Sequence, residues 1–460
     1  MSAPAVNLRT LLALAWPVVI ARATQSVVGL SDALMVAPLG EDALAATTTA
    51  AINTLGAVIL PMGTAFIVQS FVAQLVGKGR TGEIRAYAWY GLAIALGAQL
   101  VALAGLPLLG PILGLFDHEP AVVALMHDYM IIRLTAVGAM VGMEALGNWY
   151  GGLGNTQMQM RAGFLTMFTN IGGNWLLIEG NLGAPAMGVE GAALASSIAS
   201  WIGFGYLFLA FRRRWGGVPP SDGPTRLAWR ELVRVLRFGL PNGCNWFMEF
   251  GAFALFINVA VADLGKTTLA AFNVIIQVNG VAFMPAFGVA TAGAILAGQS
   301  IGAGEHGRVW PIVRLTLMVT AGWMAALGLL YTIIPSQVMG LFAQDDPETG
   351  VSAAALVAVG APMLALSAAW QLFDAAALTF AETLRAAGDT TWCLLARLAL
   401  AWLGFVPVSL LVVFELDGGS MAIMACLIGY LAALAVTMVW RFRSGAWRRI
   451  ELTEREPELV

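Results

Sequence analysis

Residues 61–79 read PMGTAFIVQSFVAQLVGKG, and residues 285–304 read PAFGVATAGAILAGQSIGAG. Each stretch opens on a proline and closes on one signature: Gly63, Gln74, Gly77 and Gly79 are answered by Gly288, Gln299, Gly302 and Gly304, each displaced by 225 residues. Further out, Trp16-Pro17 is answered by Leu240-Pro241, Gly114-Leu115-Phe116 by Gly340-Leu341-Phe342, and Gly154-Asn155-Thr156 by Gly388-Asp389-Thr390. Self-similarity over half a chain means a duplicated architecture, so the fold follows from the nature of one half.

That half belongs in a bilayer. Of the 460 residues, 59% are hydrophobic and 11% charged, and mean hydropathy is +0.79. Soluble domains carry about 25% charged residues; a lipid-facing surface needs none. The 52 glycines suit helices whose backbones approach closely in lipid. A span takes about 20 mostly apolar residues, which predicts helices at 11–38, 49–77, 84–115, 121–150, 160–179, 190–211, 235–262, 268–301, 309–341, 352–384, 392–414 and 420–441. The first run is too long for the apolar part of a signal peptide and is read as a retained span. The long polar connection holds Arg212, Arg213, Arg214, Pro219, Pro220 and Asp222. The expected organisation is an N-lobe (1–214), an inter-lobe loop (215–234), a C-lobe (235–441) and a tail (442–460).

Charge supplies the orientation. One set of alternate loops holds Arg9, Lys78, Arg80, Arg85, Arg161, Arg212, Arg213, Arg214, Arg226, Arg230, Arg234, Arg237, Arg308, Arg314, Arg385 and Arg397, with Arg441, Arg443, Arg448, Arg449 and Arg455 in the tail. The other set holds Lys266 alone, amid Glu41, Asp42, Asp117, Glu179, Asp345, Asp346, Glu415 and Asp417. Basic residues mark the cytoplasmic side, so both termini are expected in the cytoplasm, in a multi-pass protein of the cytoplasmic (inner) membrane. Six spans per half start both halves on the same side, which makes the repeats parallel.

An ionisable group at a helix centre costs roughly 2.5–3.5 kcal/mol on insertion scales, so those present point to function. They are Asp32, Glu249 and Asp374, with Arg22, Arg133, Asp128, Glu144 and Glu382. Glu249 and Asp374 fall at similar depth in the second half. Paired carboxylates at low dielectric attract a cation or share a proton; the alternative is two isolated carboxyls, each satisfied by a neighbouring hydroxyl or carbonyl. In the repeat, Gln25 stands opposite Glu249, so the halves differ in charge. Asp32 faces Asn170 and Asn174, spaced i,i+4 on one helix face, although asparagines also serve as glue between helices. Arg22 and Glu144, at comparable depth, predict a structural ion pair. Arg133 has Asp128 five residues away, off the favourable spacing, and His127-Asp128 reads as an interfacial pair. Pro17 and Pro241 (like Pro61 and Pro285) bend helices at repeat-related positions and are hinge candidates. Phe253, Phe256, Phe283, Phe287 and Trp370 line a cavity or simply pack. Cys244, Cys393 and Cys426, like His118, His127 and His306, are too scattered for a metal set.

These residues resemble the multidrug and toxic compound extrusion (MATE) family over nearly the whole chain: LAWP at 14–17, SDALMV at 31–36, Val76-Gly77-Lys78-Gly79-Arg80, GGLGNT at 151–156, NIGGNW at 170–175, MGVEGAALA at 187–195 and GLP at 239–241. Trp246-Phe247-Met248-Glu249 and Gln371-Leu372-Phe373-Asp374 are similar to the NorM branch. The resemblance implies an all-α integral membrane fold, twelve helices in two six-helix lobes forming a V-shaped bundle around a central cavity. It makes Asp32 the N-lobe acid beside a polar site of Asn170, Asn174 and Gln25, Glu249 with Asp374 the coupling pair holding a monovalent cation, and Pro17 the bending proline of helix 1. The DinF branch has an aspartate where this chain has Asn174, which favours NorM-like coupling. Two departures are Arg22, an unusual charge in helix 1, and Gly172-Gly173, where the family has bulkier residues and where glycine would enlarge the pocket.

The expected function is antiport: inward Na⁺ or H⁺, either of which neutralises a carboxylate, drives export of amphipathic, often cationic, organic compounds and drugs by a monomer in the lipid bilayer. No cofactor and no nucleic acid are expected. A lipid-linked oligosaccharide flippase would line its cavity with Arg or Lys for pyrophosphate, and only Arg22 and Arg133 qualify; export of an endogenous metabolite is the other alternative. No motif such as H-E-x-x-H supports an intramembrane enzyme.

Overall fold

A computed structural model describes residues 6–115, 119–218, 227–343 and 351–453. The expectations for Asp117, His118, Asp222, Arg226, Asp345, Asp346 and Arg455 lie outside the described residues. The described chain forms twelve long helical segments. In the first half these are helix 1 (Leu8–Val36), helix 2 (Glu41–Lys78), helix 3 (Ile84–Leu113), helix 4 (Pro120–Leu134 and Val137–Gly152), helix 5 (Gln157–Leu177) and helix 6 (Gly188–Arg212). In the second they are helix 7 (Trp229–Val261), helix 8 (Lys266–Gly302), helix 9 (Val309–Ile333), helix 10 (Ala353–Ala387), helix 11 (Thr390–Phe414) and helix 12 (Ser420–Arg443). Ten are long and apolar enough to cross a membrane as single helices, and helix 4 qualifies as a pair bent by 48°. Helix 5, 21 residues long, falls outside that set and carries Gln157, Gln159, Arg161, Asn170 and Asn174.

Boundaries shift where polar residues begin a helix. Helix 2 starts at Glu41 rather than near residue 49, because Glu41 and Asp42 sit in its first turn, where negative charge meets the positive end of the helix dipole. Helix 9 stops at Ile333; Pro335 opens a separate short helix, Pro335–Gly340, having no N–H to donate backward.

Irregular backbone inside the spans is matched by side chains, as a water-free surrounding requires. At the bend of helix 4, Gln99 of helix 3 donates Nε2 to the Leu134 carbonyl at 3.0 Å and accepts the Gly138 N–H on Oε1 at 2.8 Å. Helices 7 and 11 each contain one widened, π-helical stretch, Phe256–Val261 and Ala399–Phe405.

The chain divides into two compact units. One runs from Pro17 to Cys244; the other takes in the described residues before Pro17 and those from Asn245 onward. The division therefore falls beside Pro17 and Pro241, not in the 215–234 loop. Local packing explains it. Leu11 and Ala15 are fully or almost fully buried in the apolar core of the second unit. In the first unit the start of helix 7 lies against helix 2, with Asn242 Nδ2 donating to the Gly63 carbonyl at 2.7 Å. A Cβ on Gly239 would stand 2.6 Å from the Thr64 carbonyl, and one on Gly243 would strike the Leu60 carbonyl; the two glycines, four residues apart, allow backbones to touch.

Candidate functional site

In the first unit Asp32 lies near the end of helix 1, 8% exposed. Its Oδ1 accepts from Asn170 Nδ2 at 2.9 Å and Asn174 Nδ2 at 2.6 Å, and its Oδ2 accepts from Ser196 Oγ at 2.8 Å. Asn170 Nδ2 also reaches Ser196 Oγ at 2.9 Å, while Asn174 Oδ1 is buried without a partner among the described residues. All three donors are neutral, and no ion pair joins Asp32 to a base among the described residues. The cluster assembles because Asn170 and Asn174 share a face of helix 5 and because Gly173 faces helix 6: a Cβ there would stand 2.9 Å from the Ala195 Cβ. Gly173 thus draws helices 5 and 6 together and delivers Ser196, the residue after Ala195, to the acid; it does not enlarge a pocket. Gln25, expected in this polar site, is exposed and accepts from Arg22 Nη1 at 3.4 Å instead.

Arg22 and Glu144 form the buried pair foreseen for them, Nη2 to Oε1 at 2.6 Å with a second contact at 3.3 Å. Asn148 donates to the same carboxylate at 2.8 Å. His127 and Asp128 make an exposed contact at 3.4 Å. Among the described residues, Arg133 Nη1 is buried without a partner, and Nη2 reaches the Met140 sulfur at 3.6 Å.

In the second unit Glu249 and Asp374 lie within range of one another's charge. Arg397, expected in a connection, is paired with the first and within range of the charge of the second. It lies inside helix 11, and its Nη1 is ion-paired with Glu249 Oε2, the side chains 12% and 33% exposed. Asp374 carries no ion pair among the described residues but faces the Arg397 charge. The Tyr430 hydroxyl, from helix 12, is buried without a hydrogen-bond partner among the described residues and lies within range of all three charges. Helices 7 and 11 are held in register by Trp402 Nε1, which donates to the Met248 carbonyl at 3.2 Å. Both π-helical stretches begin just beyond these residues, and Phe405 there packs on Phe256 and Tyr430 with ring centroids 4.7 and 4.9 Å apart. One turn before Asp374, Gln371 donates to Asn279 of helix 8, which contacts Ser367 Oγ at 3.4 Å.

Of the five aromatics read as cavity lining, Phe256 (1% exposed) and Trp370 (5%) are core side chains and line nothing open. Phe253 packs on Phe256 and Phe405, and Phe283 stacks on Phe287 at 6.0 Å. Arg385, also assigned to a loop, is buried at the end of helix 10 and paired with Glu382.

A family model described as MatE matches residues 17–176 and 248–410. Over 97% of its length this chain is 29% identical to the probable multidrug resistance protein NorM of Pseudomonas putida, covering 96% of that protein. It is 27% identical to the multidrug resistance protein NorM of Vibrio cholerae, covering 83% of this chain and 82% of that one. Among solved structures, a MOP superfamily transporter from Pyrococcus furiosus, described as having a binding pocket of reversed polarity, superposes with a TM-score of 0.86 at 18% identity, covering 96% of this chain and 97% of that one. An outward-facing multidrug resistance MATE transporter superposes with a TM-score of 0.83 at 19% identity, over 96% of both chains.

Proposed function

The chain belongs to the MatE family of membrane transporters, and from that premise we propose that it is a cation-coupled antiporter exporting amphipathic, often cationic, organic compounds. The observation that carries the reading is Asp32: a buried carboxylate held by three neutral donors, with no basic partner among the described residues. An acid so placed, in a surrounding where ionised groups are costly, is a site for a cation taken up from outside. The oxygens available are those of Asp32, the Ser196 hydroxyl and the unpartnered Asn174 Oδ1, a hard donor set suited to Na⁺ or to a proton on the carboxylate. Entry of that cation cancels the charge and shifts the balance between outward-open and inward-open forms; the organic substrate favours the opposite form, so each drives the other's movement. The relatives named as multidrug resistance proteins support the substrate class. The reading puts a monomer in the cytoplasmic membrane with both termini inside, on the strength of the alternate-loop charges. A flippase for pyrophosphate lipids is disfavoured, because of the two arginines that could face one, Arg22 is tied up in an ion pair with Glu144, which leaves Arg133 alone.

The test is efflux of a fluorescent organic cation from proteoliposomes under an imposed Na⁺ or H⁺ gradient. Asp32→Asn is expected to abolish gradient-driven efflux. Wild-type rates in that variant under both gradients would refute the reading.

A further inference from the structure

The second unit holds two intramembrane acids and, unlike the Asp32 cluster, a fixed cation with them. We propose that Arg397 is a tethered counter-cation that closes the Glu249–Asp374 pair to a free metal cation. For its consequence, that ion coupling in this chain runs through Asp32, the inference rests on the antiport reading.

A pair of carboxylates offers a monovalent cation a site because two negative charges face one another at low dielectric. Here that condition is not met. The guanidinium bonds Glu249 directly and lies within range of the Asp374 charge, so with both acids ionised the three groups would carry one net negative charge rather than two. Arginine stays charged under all ordinary conditions. It is also held in place, since Trp402, one and a half turns along helix 11, bonds the backbone of Met248, next to Glu249. A sodium ion entering at Glu249 would have to displace a cation that cannot diffuse away. The residues present therefore do not fit a free metal ion at this pair, whereas the oxygens around Asp32 do.

Equilibrium binding of radioactive sodium to the purified full chain, by scintillation proximity, tests this. Asp374→Asn is expected to leave wild-type sodium binding as it is. Arg397→Gln is expected to gain a further equivalent of bound sodium, and the double variant Arg397→Gln/Asp374→Asn to lose it again. Arg397→Lys, which keeps the charge, is expected to gain none. Sodium binding that already depends on Asp374 in the wild type, no gain in Arg397→Gln, or an equal gain in Arg397→Lys would each overturn the proposal. Should Arg397→Gln fail to give a monodisperse protein, the Asp374→Asn and Arg397→Lys arms still decide. The two readings fail separately: Asp32-independent efflux removes the antiport reading and leaves the sodium comparison standing, while absent gain with Asp32-dependent efflux removes only the role of Arg397.

Discussion

A carboxylate buried in a span needs donors or a base, and the two units meet that need differently. Asp32 has only neutral donors; Glu144, Glu249 and Glu382 have arginines. The Arg22–Glu144 pair is the most enclosed of those not at a helix end, its side chains 10% and 3% exposed. Removing one partner strands a buried charge, which costs about 3–5 kcal/mol, whereas replacing both by apolar groups of similar volume is often neutral. Glu144→Gln should therefore lower the melting temperature markedly in a tryptophan-fluorescence unfolding scan, and Arg22→Met/Glu144→Met should recover most of the loss. Equal melting of the single variant and wild type would show that the pair contributes nothing. Asp32, Asn170 and Asn174 were readable in advance because i,i+4 spacing defines a face. Ser196 was not: a serine within Ala-Ala-Leu-Ala-Ser-Ser is ordinary for a membrane helix. Arg397 was misassigned because it lies within two turns of the expected cytoplasmic end of helix 11, where arginine normally marks a loop.

At the scale of the helix, breaks and close contacts decide which segments move together. Pro17 and Pro241 each leave a carbonyl without its helical partner, and the unit boundaries fall at Trp16/Pro17 and Cys244/Asn245. The proline positions were legible; that the halves of one helix pack in different units was not. Pro17→Ala restores the missing bond, and is expected to slow gradient-driven efflux while a fluorescent substrate still binds; unchanged efflux would remove Pro17 as a hinge. Gly243 belongs to the same scale. A side chain there would strike the Leu60 carbonyl, and overpacking of this kind costs typically about 1–3 kcal/mol. Gly243→Val should lower the melting temperature or the yield of monodisperse protein, while Gly280→Val, with nothing near its Cβ position, should not.

Over the whole molecule, duplication sets the plan. Two six-helix repeats in the same orientation follow from the 225-residue echo, and the MatE model matches the chain in two stretches. The loop charges extend the plan to orientation in the membrane. In a background lacking Cys244, Cys393 and Cys426, Lys266→Cys is expected to react with a membrane-impermeant thiol reagent added to intact cells, and Arg213→Cys to react only after lysis. Reversed labelling would invert the topology and, with it, the direction of proposed transport.

Hydropathy, repeat spacing and loop charge are properties of composition along the chain, so fold class, helix number and the positions of Asp32, Glu249 and Asp374 were determined by the sequence alone. Partnership between side chains is a property of space. Glu249 and Arg397 stand 148 positions apart on helices with no shared periodicity, and Asp32 and Ser196 are separated by 164. Only packing of helix 7 against helix 11, and of helix 5 against helix 6 across Gly173, decided that one acid meets a fixed cation while the other meets neutral donors.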